Sequence, residues 1–151
     1  MNIVEEQNKA KEYIDSQGLR VLVCNGTGCK ANGSDKIIEK FREFNIEADN
    51  LTTKEKLTII PTGCHGFCEQ GVLVIIPKLN TAYVKVKVED VEEIVNSHLI
   101  GGKVVERLLY KDPATNKSIK KSDEINFYAK QTRTANKENM INFFIFYSFN
   151  N

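Results

Sequence analysis

Apolar residues fall along this chain in short blocks with two different periods. Leu19, Val21, Leu22, Val23 and Cys24 form a nearly continuous apolar run that predicts a buried strand. After a loop over 25–33, Ser34 reads as an N-cap with Asp35 in the first turn. Ile37, Ile38, Phe41 and Phe44 then share one face, so a helix is expected to about Asn45. A short strand, Leu57 to Ile60, leads into Pro61-Thr62-Gly63, and Val72 to Ile76 is another buried apolar strand stopped by Pro77. Lys78-Leu79-Asn80 turns the chain. Thr81 to Val86 alternates, with Ala82, Val84 and Val86 on one face and Thr81, Tyr83 and Lys85 on the other, which predicts a half-exposed strand of an antiparallel hairpin. Glu89 to Leu99 has helical period, with Val91, Ile94, Val95, His98 and Leu99 inward, and Gly101-Gly102 ends it.

Ahead of these elements, Asn2 to Gln17 predicts a polar helix with sparse apolar positions at Ile3, Ala10 and Ile14. The order is therefore β-α-β-β-α preceded by one helix: an α/β, thioredoxin-like small mixed sheet with flanking helices. Beyond Gly102 the pattern weakens. Lys103 to Tyr110 suits helix or extended chain, and Lys111 to Lys121 is polar and turn-rich. The last stretch, Ile141 to Asn151, carries four of the chain's eight phenylalanines (Phe143, Phe144, Phe146 and Phe149) without charge, cap or period. The expected divisions are an N-terminal helix over 1–18, the folded domain over 19–102, a linker over 103–133 and an atypical, poorly ordered tail over 134–151.

A formal net charge of +1 gives no electrostatic reason to expect nucleic acid or an anionic membrane as partner. No run of roughly 18 apolar residues exists to make a transmembrane helix, and the acidic start Met1-Asn2-Ile3-Val4-Glu5-Glu6 lacks the apolar core of a secretory signal. The expected location is cytoplasmic, where thiols stay reduced. That gives weight to four cysteines in two tight pairs: Cys24 and Cys29 as C-x4-C, then 34 residues, then Cys64 and Cys68 as C-x3-C. Four thiolates suit a [2Fe–2S] cluster, two per iron. Gly26, Gly28, Gly63, Gly66 and Gly71 bracket the cysteines and let backbone N–H groups approach sulfur. Two other readings stand beside it. One is a zinc-stabilised interaction domain, whose ribbons use similar spacings. The other is a dithiol oxidoreductase, although C-x-x-C is the usual dithiol spacing and the second pair would then have no task. His65 is expected to tune the site from its loop, His98 to pack in the core, and Phe67 either to shield the cluster or simply to pack.

The segments Cys24-Asn25-Gly26-Thr27-Gly28-Cys29 and Thr62-Gly63-Cys64-His65-Gly66-Phe67-Cys68-Glu69-Gln70-Gly71 resemble those of thioredoxin-like [2Fe–2S] ferredoxins. Gly101-Gly102-Lys103-Val104-Val105-Glu106-Arg107-Leu108-Leu109-Tyr110 and Phe127-Tyr128-Ala129-Lys130-Gln131-Thr132-Arg133 narrow the likeness. They are similar to the N-terminal segment of the NADH-binding flavoprotein subunit of complex I-like enzymes and of NADH-dependent or electron-bifurcating hydrogenases. The resemblance spans about Leu19 to Arg133. It implies electron transfer through a [2Fe–2S] cluster on Cys24, Cys29, Cys64 and Cys68. The implied partners are other subunits of such a complex and an electron donor or acceptor protein. The chain departs from that family after Arg133, where a flavin- and NADH-binding domain is expected and 18 unlike residues follow. The expectation is a truncated, frameshifted or fragmentary product that does not oxidise NADH by itself.

Overall fold

A computed structural model describes residues 18–44, 47–66 and 68–120, together with Glu12 and Ser16. The expected helix Asn2 to Gln17 (apart from those two residues), Phe67, the Phe127 to Arg133 segment and the tail lie outside the described residues. The elements are β1 (Leu19–Cys24), α1 (Thr27–Ala31), α2 (Ser34–Glu43), β2 (Leu57–Thr62), β3 (Val74–Ile76), β4 (Thr81–Tyr83) and α3 (Asp90–Glu93). α3 runs directly into a π-helical stretch, Ile94–Ile100. No helix among the described residues is long and apolar enough to cross a membrane.

The four strands lie in the order β2-β1-β3-β4. β1 pairs with β2 in parallel, from Leu19 opposite Leu57 to Cys24 opposite Thr62. β3 pairs antiparallel with both β1 and β4. The parallel pair is possible because α2 makes the crossover and packs on both strands. The central position of β1 explains its continuous apolar run, since Leu19, Val21 and Val23 are wholly buried. β2 extends to Thr62 through Pro61, and a proline fits there because β2 is the edge strand of the sheet among the described residues. From α2, Ile37, Ile38 and Phe41 enter the core and Phe44 packs at its margin. Burial of a side chain such as Phe41 contributes about 2–3 kcal/mol.

Four expectations change in detail. Gly33, at φ 86°, is the N-cap of α2. Ser34 is instead its first residue, fully buried, with its hydroxyl 2.5 Å from Asn25 Oδ1. The loop over 25–33 contains the short helix α1, so Cys29 sits on a helical turn. β3 begins only at Val74, although Val72 and Leu73 are buried as expected. The hairpin's second strand is three residues long, and Thr81 and Tyr83 are buried where alternation would expose them.

The last change has a physical cause in the segment after Gly102. That stretch folds back across β4: Val84 N–H donates to Leu108 O at 2.8 Å, and Tyr83 forms a bridge with Leu109. Val105, Leu108, Leu109 and Tyr110 are buried as a result. Arg107 fastens the segment to the start of α3 through Asp90 Oδ1 at 2.6 Å and through Glu93. The Tyr83 hydroxyl lies 2.7 Å from His98 Nδ1 and accepts Val105 N–H at 3.1 Å, joining sheet, helix and returning segment. His98 is thus a core residue, as its place on the apolar helix face implies. Thr52 closes the far end of the π-helical stretch, donating N–H to Leu99 O at 2.8 Å and its hydroxyl toward Leu99 O and Ile100 O.

Tyr83→Phe leaves both buried partners of the hydroxyl unsatisfied and should lower unfolding free energy by about 2 kcal/mol in urea titration. A loss below about 0.5 kcal/mol would show that water replaces the hydroxyl there. A pH dependence follows from His98. Burial holds its pKa below the ordinary 6.5, so the unfolded chain binds the extra proton first. Its contribution is present in full above about pH 6.5 and is lost as pH falls below that value toward the folded-state pKa. Urea midpoints should fall across that range by more in the native chain than in His98→Gln.

Candidate metal centre

Each cysteine is delivered by a different local feature. Cys24 is the last residue of β1 and Cys29 is the third residue of α1. Cys64 follows β2 by one residue after Thr62-Gly63, and Cys68 opens a 3-10 turn, Cys68–Gln70. Because β1 and β2 run parallel and end side by side, both loops leave the same end of the sheet. Their contact is close: a Cβ placed on Gly26 would stand 2.8 Å from Cys64 Cβ, so only glycine allows the approach. Asn25 N–H donates to Thr62 O at 2.9 Å and Cys24 N–H to Leu73 O at 2.9 Å, fixing the first loop against its neighbours.

The sulfurs meet in two pairs. Cys24 Sγ and Cys29 Sγ are 3.3 Å apart, and Cys64 Sγ and Cys68 Sγ are 3.5 Å apart. No disulfide joins either pair. The first pair reaches the second loop, with Cys24 Sγ 3.6 Å from Gly63 O and Cys29 Sγ 3.6 Å from Gly71 O. Among the described residues, no three candidate ligands converge on a single metal position. The arrangement is therefore two pincers facing across a loop contact. Cys24 and Cys29 are buried, whereas Cys64 and Cys68 are exposed.

Electrostatics within the protein disfavour charge on the sulfurs. Burial, followed by the hydrogen bond with Cys24, pushes the Cys29 thiol up to about 12. The hydrogen bond with Cys64 likewise raises the Cys68 thiol. Neighbouring sulfurs resist a second negative charge, and a metal cation reverses that balance by holding both as thiolates. Backbone donors point at sulfur as well: Gly66 N–H lies 3.3 Å from Cys64 Sγ, with Gly66 at φ 74°. That conformation favours glycine.

His65 turns Nε2 to the end of β2. Its Nε2 lies 2.6 Å from Thr62 Oγ1, and burial lowers its pKa to about 4, so the ring is neutral at neutral pH. Sequence reasoning did not single out Thr62 or the Ser34–Asn25 contact. The only signal available was a hydroxyl residue beside each cysteine loop, which has no period to reveal it. A separate cavity of about 280 Å³ lies between α2 and β2, lined by Phe41, Phe44, Leu57 and Ile59 among others, and includes none of the cysteines.

The part of the chain that carries the four cysteines is similar to known proteins. The family model for the thioredoxin-like [2Fe–2S] ferredoxin matches residues 14–98. A 2Fe–2S ferredoxin of Clostridium pasteurianum is 37% identical over 95 residues, covering 58% of this chain and 91% of that protein. A 2Fe–2S ferredoxin of Aquifex aeolicus is 40% identical over 84 residues, covering 54% of this chain and 71% of that protein. The crystal structure of the wild-type thioredoxin-like [2Fe–2S] ferredoxin from Aquifex aeolicus superposes with a TM-score of 0.52 at 34% identity, over 62% of this chain and 97% of that one. This chain belongs to the thioredoxin-like [2Fe–2S] ferredoxin family, and that membership implies a [2Fe–2S] cluster.

Proposed function

We propose that this chain carries single electrons through a [2Fe–2S] cluster held by Cys24, Cys29, Cys64 and Cys68. The observation that carries the reading is the pairing of sulfurs at 3.3 and 3.5 Å on two loops in mutual contact. A tetrahedral metal with bonds of about 2.3 Å keeps two sulfurs roughly 3.8 Å apart, so each pair is near the span one metal requires. A lone zinc would need all four sulfurs about one point, whereas here they meet as two separate pairs. Two pairs match the two irons of the cluster. When bound, the cluster supplies a one-electron couple, and no substrate bond is made or broken.

The chain's own residues provide the rest. The buried pair anchors the site beneath β1 and α1, while the exposed pair faces the surface a partner can approach. Gly66 N–H offsets negative charge on Cys64. The relatives' name, ferredoxin, supports an electron carrier with protein donors and acceptors. The likeness of 101–110 and 127–133 to a flavoprotein subunit supports an NADH-dependent oxidoreductase or hydrogenase as the source of those partners, in the cytoplasm.

The test is anaerobic purification and reconstitution, with visible absorption, iron and zinc analysis, and EPR after dithionite. Two irons per chain and an S = 1/2 signal on reduction are expected, with no turnover of NADH and ferricyanide by the isolated chain. Cys24→Ser, Cys29→Ser, Cys64→Ser and Cys68→Ser should each lose or strongly alter that signal. A colourless protein holding one zinc, or a reversible disulfide with no reconstitutable iron, would end the reading. Gly26→Ala probes the loop contact. Its added methyl must displace Cys64, costing about 1–3 kcal/mol and lowering iron content. Full iron occupancy with unchanged stability in that variant would show that the loops are not held in contact.

A further inference from the structure

We infer that Thr62 and His65 form a positioning clamp that sets the second cysteine loop against the first, and that the clamp governs how long the site retains its cluster. Retention rests on the proposed function; the clamp itself rests on hydrogen bonds within the protein. Thr62 is the last residue of β2, is buried, and stands opposite Cys24 in the parallel ladder. It bonds on both sides of that cysteine. Its carbonyl accepts Asn25 N–H at 2.9 Å, and its hydroxyl lies 3.4 Å from Val23 O. The same hydroxyl is 2.6 Å from Nε2 of His65, the residue that follows Cys64.

Proton counting links the directions of the two bonds. A carbonyl oxygen only accepts, and a threonine hydroxyl has one proton to give. With that proton directed to Val23 O, His65 Nε2 must be the donor to Thr62 Oγ1. In that arrangement the chain runs His65 Nε2–H to Thr62 Oγ1–H to Val23 O, with the imidazole as the Nε2–H tautomer. One side chain thereby ties the residues flanking Cys24 to the residue beside Cys64. The tie matters because Gly63 and Gly66 flank Cys64-His65 and allow this loop many backbone conformations. Thr62 and His65 touch no ligand position; they act by placing Cys64.

The experiment compares the native chain with Thr62→Val, Thr62→Ser, His65→Phe and the Thr62→Val/His65→Phe double variant. Iron release from reconstituted protein to excess EDTA is followed at the visible band. Thr62→Val and His65→Phe should each release iron roughly tenfold faster, as loss of an outer hydrogen bond at a metal site does. Thr62→Ser should stay within about twofold of the native rate, and the double variant should release no faster than the quicker single one. Long-range proton–nitrogen NMR of the cluster-free protein supplies an independent readout. The native His65 should appear as the Nε2–H tautomer with a slowly exchanging ring proton that Thr62→Val abolishes. If Thr62→Val does not fold, His65→Phe and the native NMR spectrum decide. Release rates within about twofold of native in both single variants, or effects that multiply in the double variant, would overturn the clamp. So would an Nδ1–H tautomer. A native chain that never takes up iron would overturn the proposed function instead, while the NMR result still decides whether the clamp exists.

Discussion

Parallel pairing of β1 with β2, in the register that sets Cys24 opposite Thr62, is the constraint on which the site depends. Strand ends in a parallel pair point the same way, so the loop after each must emerge at the same end of the sheet. A one-residue slip would turn Cys24 to the other face and separate the loops. Register is held by burial: Leu19, Val21 and Val23 have no exposed alternative, and α2 seals the crossover over both strands. The contact between Gly26 and Cys64 then follows from geometry, and glycine is what makes it possible.

The two sulfur pairs occupy different surroundings for the same reason. Cys24 belongs to the central strand and Cys29 to a helical turn lying over it, so both are shielded by the core. Cys64 and Cys68 sit in the loop beyond an edge strand, where solvent reaches them. Shielding raises the cost of charge on the inner pair, seen in the elevated Cys29 pKa, and makes that pair dependent on a cation to become thiolate. The outer pair is reinforced by the Gly66 N–H and by the hydrogen bonds running through Thr62.

At the opposite end of the sheet order, β4 is covered by the segment that returns after Gly102. Tyr83 is the fastening point, bonded to His98 on one side and to the Val105 backbone on the other. Arg107 adds charged contacts to Asp90 and Glu93 at the surface, where such pairs contribute little by themselves. The burial of Leu108 and Leu109 supplies most of the attachment.

Local pattern and residue chemistry were enough to identify β1, the apolar face of α2, the inward positions Val91, Ile94, Val95, His98 and Leu99, and the two cysteine pairs. Each rests on information a few residues wide: a β-branched run, a helical period, a C-x4-C and a C-x3-C spacing. Where the outcome depended on what lay across space, the sequence was silent. Alternation over Thr81 to Val86 suggested an exposed face, because nothing local announces that residues 105–110 will cover Tyr83. Ser34 has the chemistry of an N-cap, yet the left-handed Gly33 takes that place and Ser34 turns its hydroxyl to Asn25. Spacing alone likewise did not choose between one point shared by four sulfurs and two facing pairs. That choice was made by the parallel register, the Gly26 approach and the Thr62 hydrogen bonds, contacts between residues nearly forty positions apart that exist only once the sheet has formed.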